Sequence, residues 1–300
     1  MNTERTKNVL IALLSVIAIS LSALIFATEG RYTLSAGQEA DIRAVLERDN
    51  IHLRDGMVIP RDFQPLRQME MQRYGYELEE LATRFFGDDG FILDAMEMEY
   101  KYTHPNNDDG AMMVYSTWTN VVSFFMPQGA SNEAFALMQN ERGAEILATH
   151  FTENLLGMSP SIQHYSTTLS YHGIWIIDFF AVYRGFVLQN DHIRVHVSEN
   201  GIEIIEYSRV KHSGFIGDAR GIFPPNEALM ALANHMRLNR GAEGAITIND
   251  MRLSYFLTEE GGHSIGVPAY VFSVYMGGMM RFNAIFNAYT NELLHFETAP

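Results

Sequence analysis

Residues 192–210 read HIRVHVSENGIEIIEYSRV. Asn200-Gly201 lies between two runs, 192–197 and 202–210, in which apolar and polar residues alternate. Alternation places successive side chains on opposite faces of a strand, and Asn-Gly accommodates the positive φ of a tight hairpin turn. Two antiparallel strands are therefore expected here. The same period extends upstream through 174–183 and 162–171, with Asn190-Asp191 as a second turn dipeptide. These four strands read as a meander.

Upstream of the meander, residues 131–156 carry a helical period through Phe135, Met138, Ile146, Leu147, Phe151 and Leu155. Ser131 is the expected cap, Glu133 adds charge to the first turn, Gly143 loosens the middle, and Gly157 and Pro160 close the helix. Downstream, the glycine-containing stretch 214–221 reads as a loop and as the best boundary. Pro225-Asn226-Glu227 then opens a helix with Leu229, Leu232 and Met236 on its inner face. Strand-like runs follow at 245–257, 269–275, 279–288 and 292–296. Met276 to Met279 reads as a tight Gly-Gly turn.

Nearer the N-terminus, Ser35 and Gln38 have capping-box spacing and open a short helix to Asp49. Residues 77–86 read as a second helix stopped by Gly87, and 91–103, 111–119 and 120–126 read as strands. Helix followed by antiparallel sheet, twice over, predicts an α+β class.

Residues 9–27, VLIALLSVIAISLSALIFA, contain no charge, proline or glycine and follow Arg5 and Lys7. As a helix they would be about 28 Å long, against about 30 Å of bilayer hydrocarbon. The expectation is a single transmembrane helix with a cytoplasmic tail at 1–8, the bulk of the chain lying outside the cell membrane. A cleaved signal peptide is the rival, although the run is long for one and Ile25 is a poor residue before a cleavage site. The expected modules are then 33–218 and 219–300. Along the apolar helix, Ala12, Ser15, Ile19, Ser22 and Phe26 recur at three- and four-residue steps, a stripe suited to contact with a partner's membrane helix.

The formal net charge of −15 disfavours nucleic-acid and anionic-lipid partners. Cysteine is absent, so neither disulfides nor a thiol nucleophile enter. His192-x-Arg194-x-His196 puts two imidazoles on one strand face without an evident third ligand, and reads as a polar outer face. His150 and Glu153 lack any HExxH context, and Asn106 to Gly110 is too short for a calcium loop. Glu97, Glu99 and Lys101 share a strand face and read as solvated. There is no GxSxG elbow, P-loop or dinucleotide fingerprint. The expectation is no enzyme, no cofactor and no metal.

Several pieces in order resemble the YycI/YycH family of membrane-anchored two-component regulatory proteins. These are the basic start Glu4–Lys7 before the apolar run, Leu34-Ser35 with Ile42, Leu46 and Asn50-Ile51, and the hairpin 195–205. Pro225-Asn226-Glu227-Ala228-Leu229, Val267-Pro268-Ala269-Tyr270 and the terminal Asn287-Ala288-Tyr289-Thr290-Asn291-Glu292 continue the series. Asn291 stands where the family's turn has glycine, and asparagine tolerates the left-handed region. The resemblance implies a non-catalytic regulator that holds a sensor histidine kinase of the WalK type in check, alongside a YycH-like protein. A PepSY-like binding or protease-modulating domain shares the layout, and a secreted hydrolase of unfamiliar family is the third alternative.

Overall fold

Ser35 caps the first described helix, as the spacing predicts. In the computed structural model its hydroxyl accepts from the Gln38 backbone N–H while the Gln38 side chain accepts from the Ser35 N–H at 3.0 Å, closing a capping box on α1 (Ala36–Arg48). The structure describes residues 17, 33–87, 90–105, 110–126, 140–157, 162–170, 173–238, 245–260, 263–277 and 280–299. Across these, α2 is Leu78–Phe86, α3 Glu141–Leu156 and α4 Pro225–Leu238. The strands are β1 (Ile51–Leu53), β2 (Leu66–Arg73), β3 (Ile92–Ala95), β4 (Glu99–Thr103), β5 (Met112–Ser116) and β6 (Val121–Phe125). Then come β7 (Ile162–Leu169), β8 (Trp175–Tyr183), β9 (Phe186–Ser198), β10 (Gly201–Ser208) and β11 (Val210–Arg220). The last four are β12 (Ile246–Glu260), β13 (His263–Met276), β14 (Met280–Asn287) and β15 (Leu293–Ala299).

The expected fold class needs correcting. Fifteen strands stand against four helices among the described residues, and their pairing is mixed. β1 runs parallel to β12, and β9 runs parallel to β12 through Ser254–Val187 and Tyr255–Leu188. Alternation reports that a strand is half-buried. It carries no information on which distant strand lies alongside, so parallel pairing escaped the reading. Nor do the described residues include a helix long and apolar enough to cross a membrane. The stretch 9–27 lies outside them except for Ile17.

The chain divides into two compact units. The first comprises residues 1–66, 219–252 and 270–297, the second 67–218, 253–269 and 298–300. In the first unit α1 and α4 lie together, β1 pairs with the start of β12, and β14 pairs with β13 and β15. Leu229, Leu232, Phe282 and Phe286 are all buried there, as the helix and strand periods predict. Tyr270 donates to the Phe223 carbonyl at 2.7 Å, and burial raises its pKa. Tyr289 donates to the Leu66 carbonyl at 2.8 Å, and burial pushes its pKa up to about 12. Asn291 adopts φ 60°, the left-handed conformation that asparagine tolerates at the terminal turn.

In the second unit α2 and α3 cover one face of the sheet. Ala82, Phe86, Ala144, Ala148 and Leu155 pack on Met113, Phe124, Ile177, Phe179, Val195 and Ile205. The meander β7–β8–β9–β10 is antiparallel throughout, as expected, and continues through β6, β5, β4 and β3. β12 meets β9 at Val187 and Leu188, on the same edge as β10 and opposite β8, and from it the order runs β13, β2, β11. Gly266 pairs with Met69, and a Cβ at this position would force the buried Met71 side chain to shift, which favours glycine here.

Local details correct four expectations. α3 starts at Asn140, whose side chain accepts from Gly143 N–H at 3.0 Å, so Gly143 lies in the first turn and not mid-helix. Ser131 and its neighbours to residue 139 lie outside the described residues. The 214–221 segment belongs largely to strand β11. The β8–β9 turn is Arg184-Gly185, both at positive φ, while Asn190-Asp191 lies within β9. Finally, 91–103 is not one strand but the hairpin β3–β4, turning at Glu97-Met98 without any glycine, asparagine or proline.

Candidate interaction site

β9 changes partner along its length. Val187 and Leu188 face β12, whereas 192–198 face β10. At the fork three polar residues replace the lost ladder. Gln189 donates to Ser254 Oγ at 3.1 Å, Asn190 Oδ1 accepts from Leu257 N–H at 2.7 Å, and Asp191 lies 2.6 Å from Arg209 Nε. Around Arg209, Tyr76 Oη accepts its backbone N–H at 2.7 Å and donates to the Asn120 carbonyl at 3.2 Å. Tyr115 donates to Asn120 Oδ1 at 3.0 Å. Burial lifts the Asp191 pKa from 3.8 to about 6, and the Arg209 charge offsets only part of that. Burial likewise raises Tyr76 and Tyr207. The fork is a cluster of buried polar groups at whose centre Asp191 Oδ1 and Arg209 Nε meet as a charge pair without a well-aligned hydrogen bond.

The HxRxH strand is also more buried than its reading as an outer face implied. Arg194 bridges Asp178 at 2.7 Å and Glu206 at 3.6 Å across β8, β9 and β10, and Ser166 donates to Asp178 at 3.1 Å. His196 is buried, and desolvation, followed by the Arg194 charge, lowers its pKa. Same-face neighbours from β8 and β10 flank this row, so polar residues that alternate correctly end up largely buried. No group of three His, Asp or Glu side chains among the described residues is placed to hold a metal ion. His150 meets Asn154 at 3.1 Å on α3. The acidic turn at 106–109 lies outside the described residues.

A different kind of surface appears at the β3 end of the sheet. All four residues of β3 are exposed, Ile92 by 54% and Leu93 by 44%, and among the described residues β3 pairs only with β4. Met96 and Met98, beside and within the β3–β4 turn, are exposed too. Thr117 donates its backbone N–H to the Met98 carbonyl at 2.9 Å, which brings the β5–β6 turn and Trp118, 74% exposed, against that segment. The Trp118 turn is held firmly. Arg73 donates to the Thr117 and Trp118 carbonyls at 3.3 and 3.2 Å and pairs with Glu259 at 3.3 Å, and Asn120 closes the turn at φ 57°. Exposed Trp and Met on an ordered scaffold are features of a binding surface. The sequence reading missed it, because a strand reads the same whether it ends a sheet or lies inside one.

The stripe Ala12, Ser15, Ile19, Ser22 and Phe26 lies outside the described residues.

No family model matches the chain, and no curated protein does. Similar solved structures include an uncharacterized protein from Eubacterium rectale, with a TM-score of 0.51 and 12% identity over 83% of this chain and 92% of that one. The C-terminal domain of YpeB from Bacillus megaterium has a TM-score of 0.35 and 11% identity over 76% of this chain and 99% of that domain. YycH from Bacillus subtilis has a TM-score of 0.42 and 10% identity over 79% of this chain and 57% of that chain. The latter two are distant likenesses, while at such low identity the first likeness is one of fold alone.

Proposed function

We propose that this chain is a non-catalytic regulatory module that works outside the cytoplasm by binding other proteins. In its sharper form the reading is a YycI-like regulator, restraining a WalK-type sensor histidine kinase together with a YycH-like protein. The observation that carries the binding part is the exposed apolar edge of Ile92, Leu93, Met96, Met98 and Trp118 on an ordered sheet. The kinase as partner rests on the ordered family-like motifs of the sequence. Export rests on the apolar run at 9–27 behind Arg5 and Lys7, because a retained segment and a cleaved one both leave the remainder outside. The deciding experiment is purification of the full-length protein from its native membranes with identification of what accompanies it. A sensor kinase in the eluate is expected, and its absence overturns the kinase reading. Since the chain lacks cysteine, Ser213→Cys would carry a single thiol at an exposed position. A membrane-impermeant reagent should label it on intact cells, and labelling only after lysis would refute export.

One observation favours the PepSY-like reading as a second possibility. α3 leads through a short connection into the antiparallel meander β7–β10, a single helix-plus-meander unit. Under that reading the module binds its target without any kinase, and the same purification separates the two.

A further inference from the structure

We infer that β3 is a docking edge for an extended, basic segment of a partner protein, which adds to the sheet as a further strand. The inference rests on the proposed reading of the chain as an interaction module and names the surface and the chemistry of its partner.

The backbone argument comes first. Met96 N–H donates to the Glu99 carbonyl at 2.8 Å, so these two form a hydrogen-bonded pair at the turn. Hydrogen-bonded and non-hydrogen-bonded pairs alternate along an antiparallel ladder. With Ala95 opposite Tyr100 and Leu93 opposite Tyr102, the N–H and C=O of Leu93 and Ala95 point away from β4. They offer a ready template for strand addition.

Side chains then define what the strand must carry. Leu93 continues the row Tyr102, Met113, Phe124 and Ile205, the face covered by helices. An incoming residue beside Leu93 is therefore apolar. Asp94 lies on the opposite face beside Lys101 of β4, and Glu97 and Glu99 are exposed at the turn, three acidic groups against one basic. An incoming residue beside Asp94 is best a lysine or arginine, since opposite charges across strands attract. A second copy of this chain fits poorly, because an antiparallel pairing of β3 with itself centred on Asp94 sets the two Asp94 carboxylates side by side, within a chain of net charge −15. The partner segment is thus an alternating apolar and basic strand, with Met98 and Trp118 as anchors at one end.

The test uses the full-length protein and two labelled synthetic peptides, one alternating isoleucine with lysine, the other isoleucine with glutamate. The lysine peptide should bind about tenfold tighter or better, weaken with added salt, and protect the Leu93 and Ala95 amides from hydrogen exchange. Leu93→Pro removes an outward N–H and should abolish binding. Asp94→Lys, an exposed change that keeps the ladder, should invert the preference between the peptides. Equal binding of the two peptides, protection elsewhere, or an unchanged preference in Asp94→Lys overturns the inference. So does concentration-dependent self-association abolished by Leu93→Pro, which would make a second copy the occupant. A sensor kinase that co-purifies equally with wild type and Leu93→Pro would sink the edge and leave the regulatory reading standing. Peptide binding without a co-purifying kinase would do the reverse.

Discussion

Strands β9 and β3 belong to the same sheet of the second unit and meet opposite fates. β9 has partners on both sides, and it buries Ile193, Val195 and Val197 on one face while Arg194 and His196 are enclosed on the other. Among the described residues β3 has one partner, and it exposes every side chain. The contrast shows where this molecule puts its polar and apolar groups. In the centre, charged residues are tolerated because each meets an opposite charge or a hydrogen-bond donor. At the edge, apolar residues are left in water, where stability gains nothing from them and a partner can.

Arg209→Ala should have the largest effect on the central strands. It leaves Asp191 buried without its counter-charge and should cost about 3 to 5 kcal/mol in urea unfolding. A loss under about 1 kcal/mol would mean that the fork holds without its ion pair.

Asp191→Asn sharpens the same point through pH. The folded-state pKa of Asp191 is raised from 3.8 to about 6, so the folded protein holds that proton more tightly than the unfolded chain. The stabilisation from this group is fully present below about pH 4 and is lost as pH rises through about 6. The melting temperature of wild type relative to Asp191→Asn should therefore rise as pH falls from 7 to 4, by the equivalent of about 2 to 3 kcal/mol. A flat difference would place Asp191 at its ordinary value.

Ile193→Val removes one methylene from the centre and should cost about 1 kcal/mol. Leu93→Ala makes a larger cut at the edge yet should cost less than about 0.5 kcal/mol in the isolated protein, because Leu93 is already half in water. If the edge substitution proved the more costly of the two, β3 would be part of the core and not a docking surface.

What could be read from sequence were features fixed by near neighbours. The Ser35–Gln38 box, the Asn200-Gly201 hairpin, the Gly87 stop and the Asn291 turn each depend on a few adjacent residues, and each is present. Turns without a signature were missed, as at Glu97-Met98. Asn190-Asp191 showed the converse error. Its composition reads as a turn, but the two side chains serve Leu257 and Arg209, distant residues that no window includes. The docking edge was illegible for the same reason, since which strand ends a sheet is decided by the whole strand order.

The fork in β9 also sets a timetable for folding. The hairpins β7–β8, β8–β9 and β9–β10 close short loops and can form on their own. The contact of Gln189 with Ser254 spans 65 residues and must await a long loop closure. The meander should therefore act as the nucleus, with β12 joining after the barrier. Ser254→Ala would then accelerate unfolding while leaving the folding rate almost unchanged, whereas Ile193→Val would slow folding. The residues that let one strand serve two neighbours thus also mark the seam between what folds early and what folds late.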